Sequence, residues 1–162
     1  MRKIIMGKDK ETGKQKLQIF IPIDERKISE EKILKKYPKI FRQKKLSMTQ
    51  TCMCWGLEVG FGWHWLIDNL CGCIQSYIDE NKKYNSEIHQ IETTQVKEKY
   101  GSLRFYTNGG DDTIKGMIWL AEYLSNYICE ECGSIEDVNQ TKGWIITLCK
   151  NCLKKREKEM NK

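Results

Sequence analysis

Apolar residues recur at three- and four-residue spacing over one long stretch. In WHWLIDNLCGCIQSYIDE, residues 63–80, Trp63, Leu66, Ile67, Leu70, Cys71, Ile74, Tyr77 and Ile78 fall on one stripe. That period predicts an amphipathic helix with the stripe against a core. Residues 112–128 repeat the pattern, with Ile114, Met117, Ile118, Ala121, Leu124 and Ile128 inward and Asp112 or Thr113 as the cap. Between them, IETTQVKEKYGSLRFYTNGG predicts a hairpin turning at Tyr100-Gly101. Alternation there points Leu103 and Phe105 to the core and Arg104 and Tyr106 outward.

The first part of the chain is more polar. KIIMGKDKETGKQKLQIFIPI, residues 3–23, has two β-prone runs around a polar segment and predicts a hairpin with Gly13 in its turn. SEEKILKKY, residues 29–37, predicts a short helix capped by Ser29, with Glu30 and Glu31 in its first turn and Pro38 ending it. The stretch from there to residue 50 is basic and is expected to attach loosely. GLEVGFGW, with glycines at 56, 60 and 62, reads as a bend into the helix at Trp63.

Charge is uneven along the chain. Residues 1–50 carry 15 Lys/Arg against 6 Asp/Glu, and residues 150–162 carry 6 against 2. Residues 111–149 reverse this, with 2 against 7. The basic ends suit nucleic acid or an acidic protein surface, and they equally suit plain solvation. No apolar run approaches the ~18 residues of a membrane helix. MRKIIMGKDK has no apolar stretch of signal-peptide length, so the expected place is the cytoplasm, with no membrane contact.

Eight cysteines in such a chain point to thiols and metal ligands rather than disulfides. Cys129, Cys132, Cys149 and Cys152 follow the C-x₂-C…C-x₂-C pattern. Two such turns deliver four thiolates to one tetrahedral ion, which predicts a single structural Zn²⁺. Gly133 frees the first turn, and LKKREKE after the second is helix-like. The order resembles a treble clef, with a zinc ribbon as the alternative. Four thiolates leave no open position, so the site is structural rather than catalytic. Lys142, Lys150 or Lys154 is placed to balance its charge. Metal loss is expected to unfold residues 129–153 and leave much of the helix–hairpin core.

The other cysteines, Cys52, Cys54, Cys71 and Cys73, make a poor second site, because residues two apart on a helix point about 200° apart. Cys71 fits a buried hydrophobe. His64, Asp68 and Cys71 share one helical face and form a weaker candidate nucleophile or ligand set. His89 stands alone in a polar stretch and is expected to be exposed. No phosphate-binding glycine loop is present.

Three large aromatics fall off the apolar stripes: Trp119 and Tyr123 on the second helix, and Trp65 on the first. Such rings need a cover, either a second layer such as the N-terminal hairpin or a dimer partner, or a bound protein or stacked bases. Lys97, Lys99 and Arg104 interleave with Tyr100, Phe105 and Tyr106 on the hairpin. Together with Lys154, Lys155 and Arg156 they form the alternative, nucleic-acid-binding surface.

GFGWHWLIDNLC, QVKEKYGSLRFY and CEECG…GWIITLCKNC, in this order over residues 55–153, resemble a small uncharacterised family of bacteriophage and prophage proteins. The family has no established activity. The resemblance implies a phage-encoded protein that binds a host protein or nucleoprotein complex, such as a CRISPR effector, as an inhibitor of host defence. The expected architecture is α+β: a small antiparallel sheet, two main helices and a treble-clef-like zinc module. The expected divisions are a basic hairpin and short helix (1–50), a helix–hairpin–helix core (51–128) and the zinc module with a basic tail (129–162). The expected function is non-enzymatic binding.

Overall fold

The computed structural model describes residues 3–8, 15–20, 29–85 and 87–160. Strands β1 (Lys3–Lys8) and β2 (Gln15–Phe20) pair antiparallel, with Lys3 opposite Phe20 and Lys8 opposite Gln15. This is the expected hairpin pairing, and Gly13 lies outside the described residues. Helix α1 (Glu30–Lys36) follows. Ser29 sits at its N-cap position, but its side chain makes no cap bond. Glu30 in the first turn instead accepts the Leu57 N–H at 3.1 Å, tying α1 to a distant strand.

The segment from α1 onward is integral to the core. Ile33, Tyr37, Ile40 and Phe41 are buried in the same cluster as the later helices. The Thr93 N–H donates to the Ile40 carbonyl at 2.7 Å. The basic side chains around these anchors meet acids of the core: Lys36 with Asp68, Lys39 with Asp79, and Arg42 with Glu92. The expectation of loose attachment looked only at charge. Four buried apolar side chains outweigh solvated lysines, since each contributes about 1.5–3 kcal/mol on burial.

Strand β3 (Leu57–Glu58) pairs parallel with β4 (Glu92–Lys99), which pairs antiparallel with β5 (Ser102–Asn108). Tyr100 (φ 55°) and Gly101 (φ 73°) turn the β4–β5 hairpin. Both central residues are left-handed, as a tight two-residue hairpin turn requires. Leu103 and Phe105 are buried, while Tyr106 is exposed, as the alternation predicts.

Helix α2 (His64–Asn81) runs unbroken through Gly72, after a single 3₁₀ turn over Phe61–Trp63. Its stripe packs on β4–β5 and on α3 (Asp112–Ser125). The cap of α3 is Asp111, not Asp112 or Thr113. Asp111 has extended backbone, and its carboxylate accepts the Ile114 N–H at 2.9 Å. Tyr77 of α2 donates its hydroxyl to the same carboxylate at 2.7 Å. These bonds, the Ile114 one first, hold the Asp111 carboxyl below its usual range. The contribution is therefore present above the unfolded pKa, near 3.9, and is lost as pH falls through the lower folded value. Asp111→Ala is expected to cost about 1 kcal/mol, read as a shift in urea midpoint at pH 6 that shrinks at pH 3. An equal shift at both values would remove the assignment.

The side chains of α3 also finish the sheet. Ser125 Oγ accepts the Leu103 N–H, and Glu122 accepts the Phe105 N–H, both at 2.9 Å. These bonds satisfy the open edge of β5, which would otherwise invite pairing with another chain.

Strands β6 (Val138–Gln140) and β7 (Thr147–Cys149) form a second antiparallel pair, and α4 (Lys150–Met160) ends the described chain. Among the described residues the architecture is α+β, with four α-helices and small sheets of two or three strands. No helix among the described residues is long and apolar enough to cross a membrane.

Candidate metal centre

The end of α3 leads directly into the first cysteine pair. Cys129 N–H donates to the Ser134 carbonyl, and Gly133 N–H to the Cys129 carbonyl, each at 2.8 Å. The chain thereby doubles back within five residues. Gly133 has φ 75°, a conformation for which a residue without Cβ is suited. The second pair is built differently. Cys149 closes β7, and Cys152 lies in the first turn of α4. A knuckle, a hairpin and a helix carrying the last cysteine follow the treble-clef order rather than the ribbon alternative.

All four sulfurs lie within 4.8 Å of one another. Cys132 Sγ and Cys149 Sγ are 3.7 Å apart. Four thiolates around one ion at about 2.3 Å would sit roughly 3.8 Å apart, whereas a disulfide needs about 2.05 Å. The donor set therefore fits one tetrahedral metal ion. Cys129 and Cys149 are buried, and Cys132 and Cys152 are half-buried. Burial pushes the Cys132 thiol up to about 11, and the Cys152 thiol higher still. Burial also raises Cys149, but the Cys152 N–H and the neighbouring thiols donate to its sulfur and hold it below the ordinary range. Metal binding to such a set requires the thiols to give up their protons, so it is tied to pH.

The centre is bonded to the core by the GFGW turn. The Gly62 N–H donates to the Glu130 carbonyl at 2.6 Å, and the Gly60 N–H to the Glu130 carboxylate at 2.9 Å. Trp63 is fully buried, and its indole N–H donates to the Ile128 carbonyl at 2.8 Å. A Cβ on Gly62 would overlap the Cys129 carbonyl and the Gly133 nitrogen, and one on Gly60 would overlap Glu130. These glycines do more than bend the chain: they let the backbone lie against the knuckle. Burial pushes the Glu130 carboxyl above the usual range, and the Gly60 N–H opposes it.

A second set of bonds reaches the β4–β5 turn. Thr147 donates its hydroxyl to the Gly101 carbonyl at 2.5 Å, and the Glu130 N–H reaches the Thr147 carbonyl at 2.9 Å. Asn126 Oδ1 accepts from Ser102 at 2.6 Å and from Gln140 at 3.2 Å. One asparagine thus joins α3, β5 and β6.

The remaining candidates do not converge on this centre. Cys71 is buried and Cys73 exposed, and among the described residues the C-terminal quartet is the only metal-capable cluster. Burial, followed by the Asp68 charge, pushes the Cys71 thiol well up, the reverse of an activated nucleophile. Asp68 takes Lys36 at 2.9 and 3.0 Å. His64 is buried with its ring 5.0 Å from that of Phe61, and His89 is exposed. Lys97 and Lys99 lie over the rings of Tyr106 and Tyr100, at 5.7 and 5.6 Å. Arg104 is held by the Leu103 carbonyl and lies 3.9 Å from Glu122. Lys154, Lys155 and Arg156 are exposed on α4.

Trp119 and Tyr123 project from α3 into solvent, while Trp65 is half-buried against the core. The α3 face is wider than its pattern predicts. Trp119, Leu120, Tyr123, Leu124 and Tyr127 are 66%, 50%, 48%, 40% and 53% exposed. Leu124, expected inward, is on this face because Ile114, Ala121 and Ser125 take the buried side. Trp119 stacks on Tyr123 with centroids 5.7 Å apart and planes 14° apart. Tyr123 meets Tyr127 at 5.3 Å, and their hydroxyls are 3.0 Å apart. Leu120 and Tyr127 were legible in the sequence through their 3,4 spacing with Tyr123.

No family model, curated protein or solved structure matches the chain. These comparisons lend no support to the bacteriophage resemblance expected from the three motifs.

Proposed function

We propose that this is a non-enzymatic binding protein, held together by one structural Zn²⁺, whose contact face is the aromatic side of α3. The observation that carries the reading is the exposed Trp119–Tyr123–Tyr127 ladder flanked by Leu120 and Leu124. Trp and Tyr dominate the energetics of protein contacts, and a helix apolar on both sides ordinarily has both sides covered. Zn²⁺ follows from four thiolates in tetrahedral spacing. If the chain is phage-encoded, as its motifs suggest, the wider target is a host protein or nucleoprotein complex, with inhibition of a defence system such as a CRISPR effector as one outcome.

Two measurements test this reading. Elemental analysis of purified protein should find one zinc per chain, and its absence would remove the cofactor. Affinity purification should recover a partner with the wild type and much less of it with Trp119→Ala/Tyr123→Ala. Equal recovery would dismiss the face. Direct nucleic-acid binding is the second reading, favoured by the Lys97–Tyr106 and Lys99–Tyr100 pairs. It requires binding that weakens steeply with salt.

A further inference from the structure

Resting on that reading of the α3 face, we propose that the polypeptide seated on it is a second copy of this chain, packed antiparallel. Gly116, Leu120 and Tyr123 of α3, with Tyr127 in the turn just past its C-cap, are spaced 4, 3 and 4 residues apart, the spacing of a helix-pair seam. A two-fold axis between residues 121 and 122 sets Leu120 opposite Tyr123 and Gly116 opposite Tyr127. The match is small against large. A Cβ at Gly116 meets nothing within 4 Å, so the bare helix surface there leaves open space for the Tyr127 ring of the second copy to lie against. Trp119 and Leu124 flank the seam and widen it.

The area agrees with a weak dimer. An aromatic buries 150–250 Å², so three that are about half exposed offer roughly 300 Å² per copy. With the two leucines, the two copies together remove about 1,000 Å² from water, the lower bound for a specific interface. Interfaces this small belong to weak, transient associations, so the test spans a wide concentration range. Charge does not point the face toward nucleic acid. Residues 111–127 hold Asp111, Asp112 and Glu122 against Lys115 alone.

Sedimentation equilibrium of the full chain, from about 1 µM to 1 mM, tests the proposal. The wild type should pass from monomer to dimer across that range. Leu120→Glu should weaken dimerisation tenfold or more. Gly116→Leu is the sharper variant. It replaces a poor helix former with a good one, so the fold survives, yet it fills the seat of Tyr127 and should weaken the dimer similarly. A wild type monomeric throughout, or a dimer indifferent to Gly116→Leu, overturns the proposal. If the wild type is monomeric but Leu120→Glu loses a partner that the wild type captures, the second copy fails and the contact face stands. If neither association appears, both fall.

Discussion

Removing the proposed Zn²⁺ with a strong chelator is expected to unfold residues 129–153 and also to take cooperativity out of the core. The first part follows from composition, because the module buries only Cys129, Leu148 and Cys149 as its own cluster. Structural zinc sites of this kind supply on the order of 10–16 kcal/mol in small modules, against about 5–15 kcal/mol for an entire domain. The second part follows from connections that reading the chain does not reveal. The knuckle accepts from Gly60 and Gly62 through Glu130, and Ile128 just before it holds the indole N–H of Trp63. At the β4–β5 hairpin, Thr147 donates its hydroxyl to the Gly101 carbonyl, and Asn126 accepts from the Ser102 hydroxyl. When the knuckle opens, these buried partners are orphaned at a cost of about 1–3 kcal/mol each. Amide and indole hydrogen exchange provides the measurement. Protection of the Gly62 amide and the Trp63 indole should collapse with that of Cys129. If the core keeps full protection and an unchanged thermal midpoint after chelation, the coupling is wrong.

Gly62→Ala is expected to be the most damaging single methyl among the described glycines. Its Cβ would meet three backbone atoms, the Cys129 carbonyl, the Gly133 nitrogen and the Glu130 carbonyl, none of which can rotate away. Overpacking against flexible side chains typically costs about 1–3 kcal/mol. Here the knuckle itself must move, so the loss should reach about 3 kcal/mol or more. The displaced atoms belong to the metal-binding turn, so zinc affinity should fall with stability. A competitive chelator titration alongside a urea melt separates the two effects. A variant with wild-type midpoint and wild-type zinc retention would show that the turn does not bear on the knuckle.

Local chemistry was readable at several points. The 3,4 stripe of α2 and the Tyr100-Gly101 turn depend on neighbours within a few residues. Other features were hidden because their causes lie far away in the chain. Gly60 and Gly62 read as a bend until Glu130, 70 residues from Gly60, fills the space their missing side chains leave. The basic stretch around α1 reads as solvated until Asp68, Asp79 and Glu92 come to meet it. Leu124 fits an inward stripe by period alone, yet Ala121 and Ser125 face the core, and Ser125 does so with its hydroxyl bonded to β5.

By itself, then, the sequence determined the two main helices, the β4–β5 hairpin and the cysteine quartet. Periodicity, turn residues and Cys-x-x-Cys spacing are short-range properties, governed by backbone sterics and by how far one tight turn can carry two thiolates. Only the tertiary structure decided which surfaces were left over. It joined the metal knuckle to the GFGW turn, and it drew the basic helix α1 into the core. It also left one side of α3 uncovered, a tyrosine–tryptophan ladder beside an open glycine. Burial is a competition among all faces for one core, and no single stretch of the chain records who wins it.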